Sequence, residues 1–243
     1  MKLRGCIAVL LACVLATPAF SREKEKLTSF TFEFSGETRT VCAFIPEKTG
    51  PLPLIILLHG SGRNGEIMAS LWKDLARREG FIVAAPNAHN AATWDSTRDT
   101  PEFFPAIVDQ IESRHAIDRR RIYLFGHSAG AAYALFLAVM DSDLFAATAI
   151  HAGALQTNPY ALFAEVTRKM PIAIWVGDRD PLFPIATVIE TKRIFDAHGY
   201  NVQLSVIPAH DHNYYAISDE INQKAWNFLQ KTVMPIAAPE SQP

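Results

Sequence analysis

The segment Arg121-Ile122-Tyr123-Leu124-Phe125-Gly126-His127-Ser128-Ala129-Gly130 limits the choice of fold more than any other. An apolar run stops at a glycine. A serine follows two residues later, and a second glycine two residues after that. The small-residue stretch from Ala129 to Met140 then reads as a helix. A turn this tight between a buried strand and a helix forces unusual backbone angles and brings the two elements together. Glycines on either side relieve the clash, and the serine hydroxyl is left projecting at the positive end of the helix.

The rest of the chain repeats that strand-then-helix grammar. Leu54 to Leu58, Phe81 to Ala85, Ala146 to Ile150 and Ile172 to Val176 are short, nearly continuous apolar runs, as in strands buried on both faces. Thr28 to Phe34 and Thr38 to Ile45 alternate around the turn Ser35-Gly36-Glu37, and Val202 to Ile207 reads as a last strand. Helical periodicity spans Ile67 to Arg78, Pro101 to His115, Ala186 to His198 and Ser218 to Val233. The expectation is an α/β domain over 28–233, with a mostly parallel central sheet and helices on both faces. In such sheets ligands bind at the carboxyl ends of the strands. The loops after Leu58, Phe125, Val176 and Ile207 should therefore share one rim.

Residues 1 to 21 stand apart. Lys2 and Arg4 precede an apolar run from Cys6 to Ala16, and Ala19-Phe20-Ser21 offers small residues at a cleavage point. That is the layout of a secretory signal peptide cut after Ser21, with cleavage after Ala19 as the close competitor and lipoprotein processing at Cys13 as a further alternative. The expected location is periplasmic or extracellular. Removing Lys2 and Arg4 takes the 23 basic residues to 21 against 25 acidic, and the net charge from −2 to −4. Such a balance points away from nucleic acid and from membrane insertion once the signal is gone. Two of the three cysteines leave with the signal, so Cys42 has no partner for an internal disulfide. Residues 234–243 read as a proline-containing flexible tail.

The rim loops carry the chemistry. A serine hydroxyl is a weak nucleophile at neutral pH and needs a base. In this architecture the order along the chain is serine, acid, histidine. Gly177-Asp178-Arg179-Asp180 follows one strand and His210-Asp211-His212 follows the next. Asp180 lies farther into its loop and is the expected acid, with Asp178 as the alternative. His212 is the expected base, with His210 as the alternative. His127 and His59 are read as structural. Acyl transfer also needs donors for an oxyanion. The N–H groups of Ala129 and of Ser61, in the glycine-rich loop His59-Gly60-Ser61-Gly62, are the candidates. Trp94, Trp175, Phe183 and Tyr214 are candidate walls of the site.

Leu57-Leu58-His59-Gly60-Ser61-Gly62, Gly126 to Gly130, Gly177 to Pro184 and Asp211-His212-Asn213-Tyr214 together resemble α/β-hydrolase-fold serine esterases. Ile117-Asp118-Arg119-Arg120-Arg121-Ile122-Tyr123 is similar to the exported esterase/polyhydroxybutyrate depolymerase-like branch, which includes feruloyl and acetylxylan esterases. The resemblance runs from about residue 38 to about residue 230. It implies hydrolysis of carboxylic esters through an acyl-enzyme, with no metal or organic cofactor. The stretch 154–170 leaves little room for a lid, so small or polymer-end acyl esters are the expected substrates, handled by a monomer or small homo-oligomer. A prolyl-oligopeptidase-type peptidase, a thioesterase or lactone hydrolase, and an inactive binding protein on the same scaffold are the competing readings.

Overall fold

The structure, a computed structural model, describes residues 26–155, 163, 166 and 168–235. The expected signal peptide, the end of the tail and most of the stretch 154–170 lie outside them.

Eight strands form one sheet in the order β1-β2-β4-β3-β5-β6-β7-β8. β1 (Thr28–Phe34) and β2 (Glu37–Phe44) make an antiparallel hairpin. Ser35 and Gly36 both have positive φ, 51° and 78°. Such a turn matches the twist of its flanking strands. β2 pairs antiparallel with β4 (Ile82–Pro86). From there β3 (Leu52–Leu58), β5 (Ile117–His127), β6 (Ala147–His151), β7 (Ile172–Gly177) and β8 (Val202–Ile207) run parallel.

The apolar runs are continuous because both faces of the sheet are covered. Leu54, Ile56, Ile122, Leu124, Ile172 and Ile174 pack with α2 (Phe103–Glu112), α3 (Ala129–Met140) and α4 (Ile185–Ala197). Their neighbours Ile55, Leu57, Tyr123, Phe125, Ala173 and Trp175 point the other way, toward α1 (Gly65–Glu79) and α5 (Ser218–Leu229). The period of two is thus present inside runs that show no polar alternation.

Most element bounds agree with expectation to within a few residues, but β5 begins four residues earlier, at Ile117. Its first part is charged and reads as a loop. It is nonetheless strand, because Ile117 pairs with Leu52 across a register shift, and Arg119 reaches Asp109 and Glu112 on α2.

One buried ion pair organises the far side of the rim. Arg39 on β2 and Asp99 are 4% and 0% exposed and are bonded to each other. Arg39 also donates to the carbonyls of Asn87 and Arg98, both at 3.1 Å, and lies over the Phe103 ring. Asp99 accepts the N–H groups of His89 and Asp95 at 2.8 and 3.0 Å. The carboxylate's donors thus come from Arg39 and from the loop 87–100 itself, which is held against the sheet. Arg39→Ala would leave the Asp99 charge buried and unpaired, and denaturant unfolding should register a loss of about 3–5 kcal/mol. Adding Asp99→Asn to that variant should restore part of it.

Candidate active site

The turn at the end of β5 answers the question its sequence raises. Ser128 sits at φ 58°, ψ −120°, a conformation L-residues rarely adopt. Strain of this kind costs on the order of 1–3 kcal/mol and persists only when its surroundings enforce it. Here the Ser128 N–H donates to the His151 carbonyl at 3.1 Å, and the Ser128 carbonyl accepts from Ala131 and Ala132. A Cβ on Gly126 would lie 2.3 Å from the Gly130 oxygen, and one on Gly130 would lie 2.3 Å from the Leu58 oxygen. Neither position admits a side chain.

Ser128 Oγ lies 2.8 Å from His212 Nε2, and His212 Nδ1 lies 2.8 Å from Asp180 Oδ2. The other carboxylate oxygen, Oδ1, accepts the N–H groups of Leu182 and Phe183, each at 2.9 Å. The carboxylate is therefore clamped, with one oxygen left for the imidazole. Its side chain is fully buried, while that of His212 is 21% exposed. Gly177 makes the meeting possible, since a Cβ there would strike the His210 carbonyl at 2.1 Å. The loops after β7 and β8 consequently run side by side.

The alternatives are placed elsewhere. Asp178 is exposed, and its N–H caps β8 through the Ile207 carbonyl. His210 turns back against His151, their ring centroids 5.3 Å apart, with its Nε2 buried and unpartnered. His59 shapes the glycine-rich loop. Its Nε2 accepts the Ala88 N–H at 3.1 Å, so its Nδ1 carries the proton, facing the Gly60 carbonyl. Burial lowers its pKa. Gly62 donates to the Ala91 carbonyl at 2.7 Å, and Gly65 to Asn87 Oδ1 at 2.8 Å. The loop bearing Ser61 thus leans on the loop 87–100 that Arg39 and Asp99 secure.

Ser61, Ser128 and Ala129 share a cavity of about 590 Å³ with Ala154, Leu155, Leu182, Phe183, Pro184 and Thr187. No ionisable side chain lines it. Ala129 opens α3, so its N–H is one that no helix carbonyl can take, and it is available to a ligand. Of the four expected wall residues only Phe183 lines the cavity; it also stacks on His212 at 5.7 Å. The expectation for the other three is corrected by their burial. Trp94 is 7% exposed, stacks on Tyr133 and donates to the His59 carbonyl at 2.9 Å. Trp175 lies within β7 against the core. Tyr214 is fully buried, its hydroxyl bonded to Trp72 and Asn222. Ala154, Leu155, Pro184 and Thr187 went unnoticed in the sequence. Their only signal was position, just beyond the carboxyl ends of β6 and β7.

Beneath the His212 imidazole lie two more. His127 is 4.9 Å from His212 and 5.2 Å from His151, ring centre to ring centre. The Nδ1 atoms of His127 and His151 are 3.2 Å apart. Burial, with the like charge of His212 adding to it, pushes His127 down to about 3. Burial, with the neighbouring His127, pushes His151 down to about 2.

The dienelactone hydrolase family model matches residues 40–232. Among curated proteins, a bifunctional acetylxylan esterase/xylanase of Neocallimastix patriciarum is 34% identical over 104 residues, 40% of this chain and 15% of that one. Poly(3-hydroxyalkanoate) depolymerase C of Paucimonas lemoignei is 31% identical over 128 residues, 47% of this chain and 30% of that one. The chain thus spans well under half the length of these relatives. Among solved structures, a fluorophosphonate-binding serine hydrolase of Staphylococcus aureus superposes with a TM-score of 0.72 at 16% identity, covering 84% of this chain and 98% of that one. The fold is the expected α/β-hydrolase fold.

The two buried histidines make stability depend on pH. Both stay neutral in the folded protein but take a proton near 6.5 when unfolded. Below that pH the unfolded chain binds more protons, so their contribution is complete above 6.5 and lost as the pH falls. Urea midpoints measured from about pH 8 down to about pH 5 should decline, and the decline should be shallower in His151→Phe.

Proposed function

This chain belongs to the dienelactone hydrolase family, and from that premise we propose that it is an exported serine hydrolase that cleaves carboxylic esters through an acyl-enzyme. The observation that carries the reading is the continuous run Ser128 Oγ–His212–Asp180 at 2.8 Å per step, opening on a cavity with no ionisable side chain in its lining. The esterase and depolymerase names of the relatives support the same bond class. Export rests on the leader-like residues 1 to 21. No helix among the described residues is long and apolar enough to cross a membrane.

The chemistry follows from the hydrogen bonds. Asp180 Oδ2 is acceptor-only, so His212 holds its proton on Nδ1 and presents a lone pair from Nε2 to Ser128. As Ser128 Oγ attacks the ester carbonyl, its proton passes to Nε2. Asp180 steadies the imidazolium that results. The tetrahedral oxygen becomes an oxyanion, taken by the N–H groups of Ala129 and Ser61. On collapse, Nε2–H gives its proton to the alcohol oxygen and the alcohol departs. A water molecule then repeats the sequence on the acyl-serine and releases the acid. The neutral state of His127 matters here, because a second cation 4.9 Å from His212 would oppose formation of the imidazolium.

The test is hydrolysis of p-nitrophenyl acetate and butyrate. The wild type should turn over both, and a fluorophosphonate should label it at Ser128. Ser128→Ala and His212→Ala should each lose about a thousandfold or more in kcat. His210→Ala should stay within a few-fold of wild type. Activity should fall on the acid side of the profile as His212 takes up its proton. Full activity in Ser128→Ala, or an inactive wild type, would refute the reading.

A further inference from the structure

Among the described residues the sheet ends at β1 on one side and β8 on the other. β1 carries the carboxylate of Glu33 within its length. β8 runs Val202-Gln203-Leu204-Ser205-Val206-Ile207, with no charge and no proline. Proteins ordinarily blunt an exposed edge with one or the other, because its unpaired N–H and C=O groups recruit a further strand. We propose that β8 is a self-association surface. Two copies of this chain pair their β8 strands antiparallel about a two-fold axis at Ser205, and one sheet runs on across the dimer. The inference is independent of the ester-cleaving reading.

The ladder with β7 decides which groups are left over. The Ile172 N–H donates to the Asn201 carbonyl at 3.0 Å, and the Asp178 N–H donates to the Ile207 carbonyl at 3.1 Å. Along a strand the backbone groups face alternate sides. Residues 201, 203, 205 and 207 therefore turn theirs to β7, while Val202, Leu204 and Val206 turn theirs to the edge. The Val202 carbonyl is already taken there, by Lys192 Nζ of α4 at 2.8 Å. On that edge no described residue bonds the backbone of Leu204 or Val206. Two donors and two acceptors thus stand in one row.

That row complements itself best in one register. In an antiparallel pair, two opposite residues that face each other exchange both of their hydrogen bonds. With the axis at Ser205, Leu204 lies opposite Val206 of the second copy, and Val206 opposite its Leu204. Four backbone bonds then close. An axis at Leu204 would set Val202 opposite Val206, and Lys192 already holds the Val202 carbonyl. An axis at Val206 would set Leu204 opposite Pro208, which has no N–H to give.

The side chains fit the same pairing. Leu204 packs on the core face that α4 covers, and alternation puts Val206 on that face too. Val206 is 43% exposed, and Ile189 of α4 is 51% exposed. Lys192 reaches the edge from α4, and Ile189, three residues before it, points to the same side of that helix. Leu204, Val206 and Ile189 thus make an apolar margin beside the open ladder, and a twin margin would cover it. The neighbouring charges do not oppose the approach. Lys192 pairs with Asp196 and Arg193 with Glu190, so the helix is neutral here. The pairing also reaches the rim, because Pro208 of one copy comes opposite Val202 of the other, just before the segment that bears His210 and His212.

Sedimentation over a concentration series, with cysteine crosslinking beside it, tests this. The wild type should sediment at twice the 26.9 kDa of one chain. Val206→Lys places an ammonium between the two strands, and should raise the dissociation constant about tenfold or more with an unchanged circular dichroism spectrum. Opposite residues that do not bond each other have Cα atoms about 4.5 Å apart, within disulfide reach. Mild oxidation should therefore link Ser205→Cys into a covalent dimer on a non-reducing gel. In Gln203→Cys the twin cysteines stand about 13 Å out of step along the strands, and no link should form. The wild type, which keeps the buried Cys42, controls for stray links. If Val206→Lys loses its fold, the two cysteine variants decide. A wild type that stays monomeric up to about 0.1 mM overturns the proposal. So does a dimer that a folded Val206→Lys leaves intact. So does a dimer in which Ser205→Cys fails to crosslink, or in which Gln203→Cys crosslinks instead.

Discussion

The backbone of the turn at Ser128 passes directly against the end of β3. Gly130 is so near the carbonyls of Leu58 and His59 that a single methyl group would collide with both. This contact places the start of α3 beside the loop 59–62, and with it the N–H of Ala129 beside Ser61. It also holds Ser128 at a positive φ, pointing its hydroxyl out of the sheet. The placement of the Ser128 hydroxyl and of the Ala129 and Ser61 backbone thus depends on the absence of two side chains. The energy for the strained serine comes from β3 and the buried carboxyl-terminal half of β5 beneath it, whose close packing resists relaxation.

The architecture was legible because both core faces write the same signal. A strand buried on two sides reads as a plain apolar run, and a turn that admits only glycine reads as glycine. Ser128 followed from those facts. The choice of His212 over His210, and of Asp180 over Asp178, did not. Both pairs are separated by two residues, so alternation along a strand does not tell them apart. The structure separates them by turn geometry. Ala209 takes φ 56° and sends His210 back toward His151, while the Asp180 side chain folds onto the N–H groups of Leu182 and Phe183. Turn conformations of this kind leave little trace in residue type. Trp94, Trp175 and Tyr214 illustrate the opposite error. A large aromatic with a polar atom suits a binding wall and a core equally well, and here each has a place in the core: two bond through that atom, and Trp175 lies within a strand.

Three further imidazoles lie near the catalytic one, and the protein keeps at least two of them uncharged. His127 and His151 are 3% and 0% exposed. Burial makes their protonated forms costly, so neither competes with His212 for a proton. Of these four imidazoles, His212 is the one with both a hydrogen-bonded carboxylate and access to solvent. Selection of the base is therefore a matter of solvation as much as of hydrogen bonding. The same burial makes the fold less tolerant of acid than of base, which ties the working range of the enzyme to the stability of its own core.

The support for the oxyanion loop comes from outside the sheet's catalytic strands. Arg39 and Asp99 fix the loop 87–100; that loop accepts from Gly62 and Gly65, and its Ala88 N–H and Trp94 indole donate to His59. Ser61 rides on this second tier. An oxyanion donor must already point at the developing charge when the reaction begins, since reorienting it then would cost the energy it is meant to supply. A fully satisfied ion pair between β2 and a surface loop provides that rigidity some distance from the chemistry.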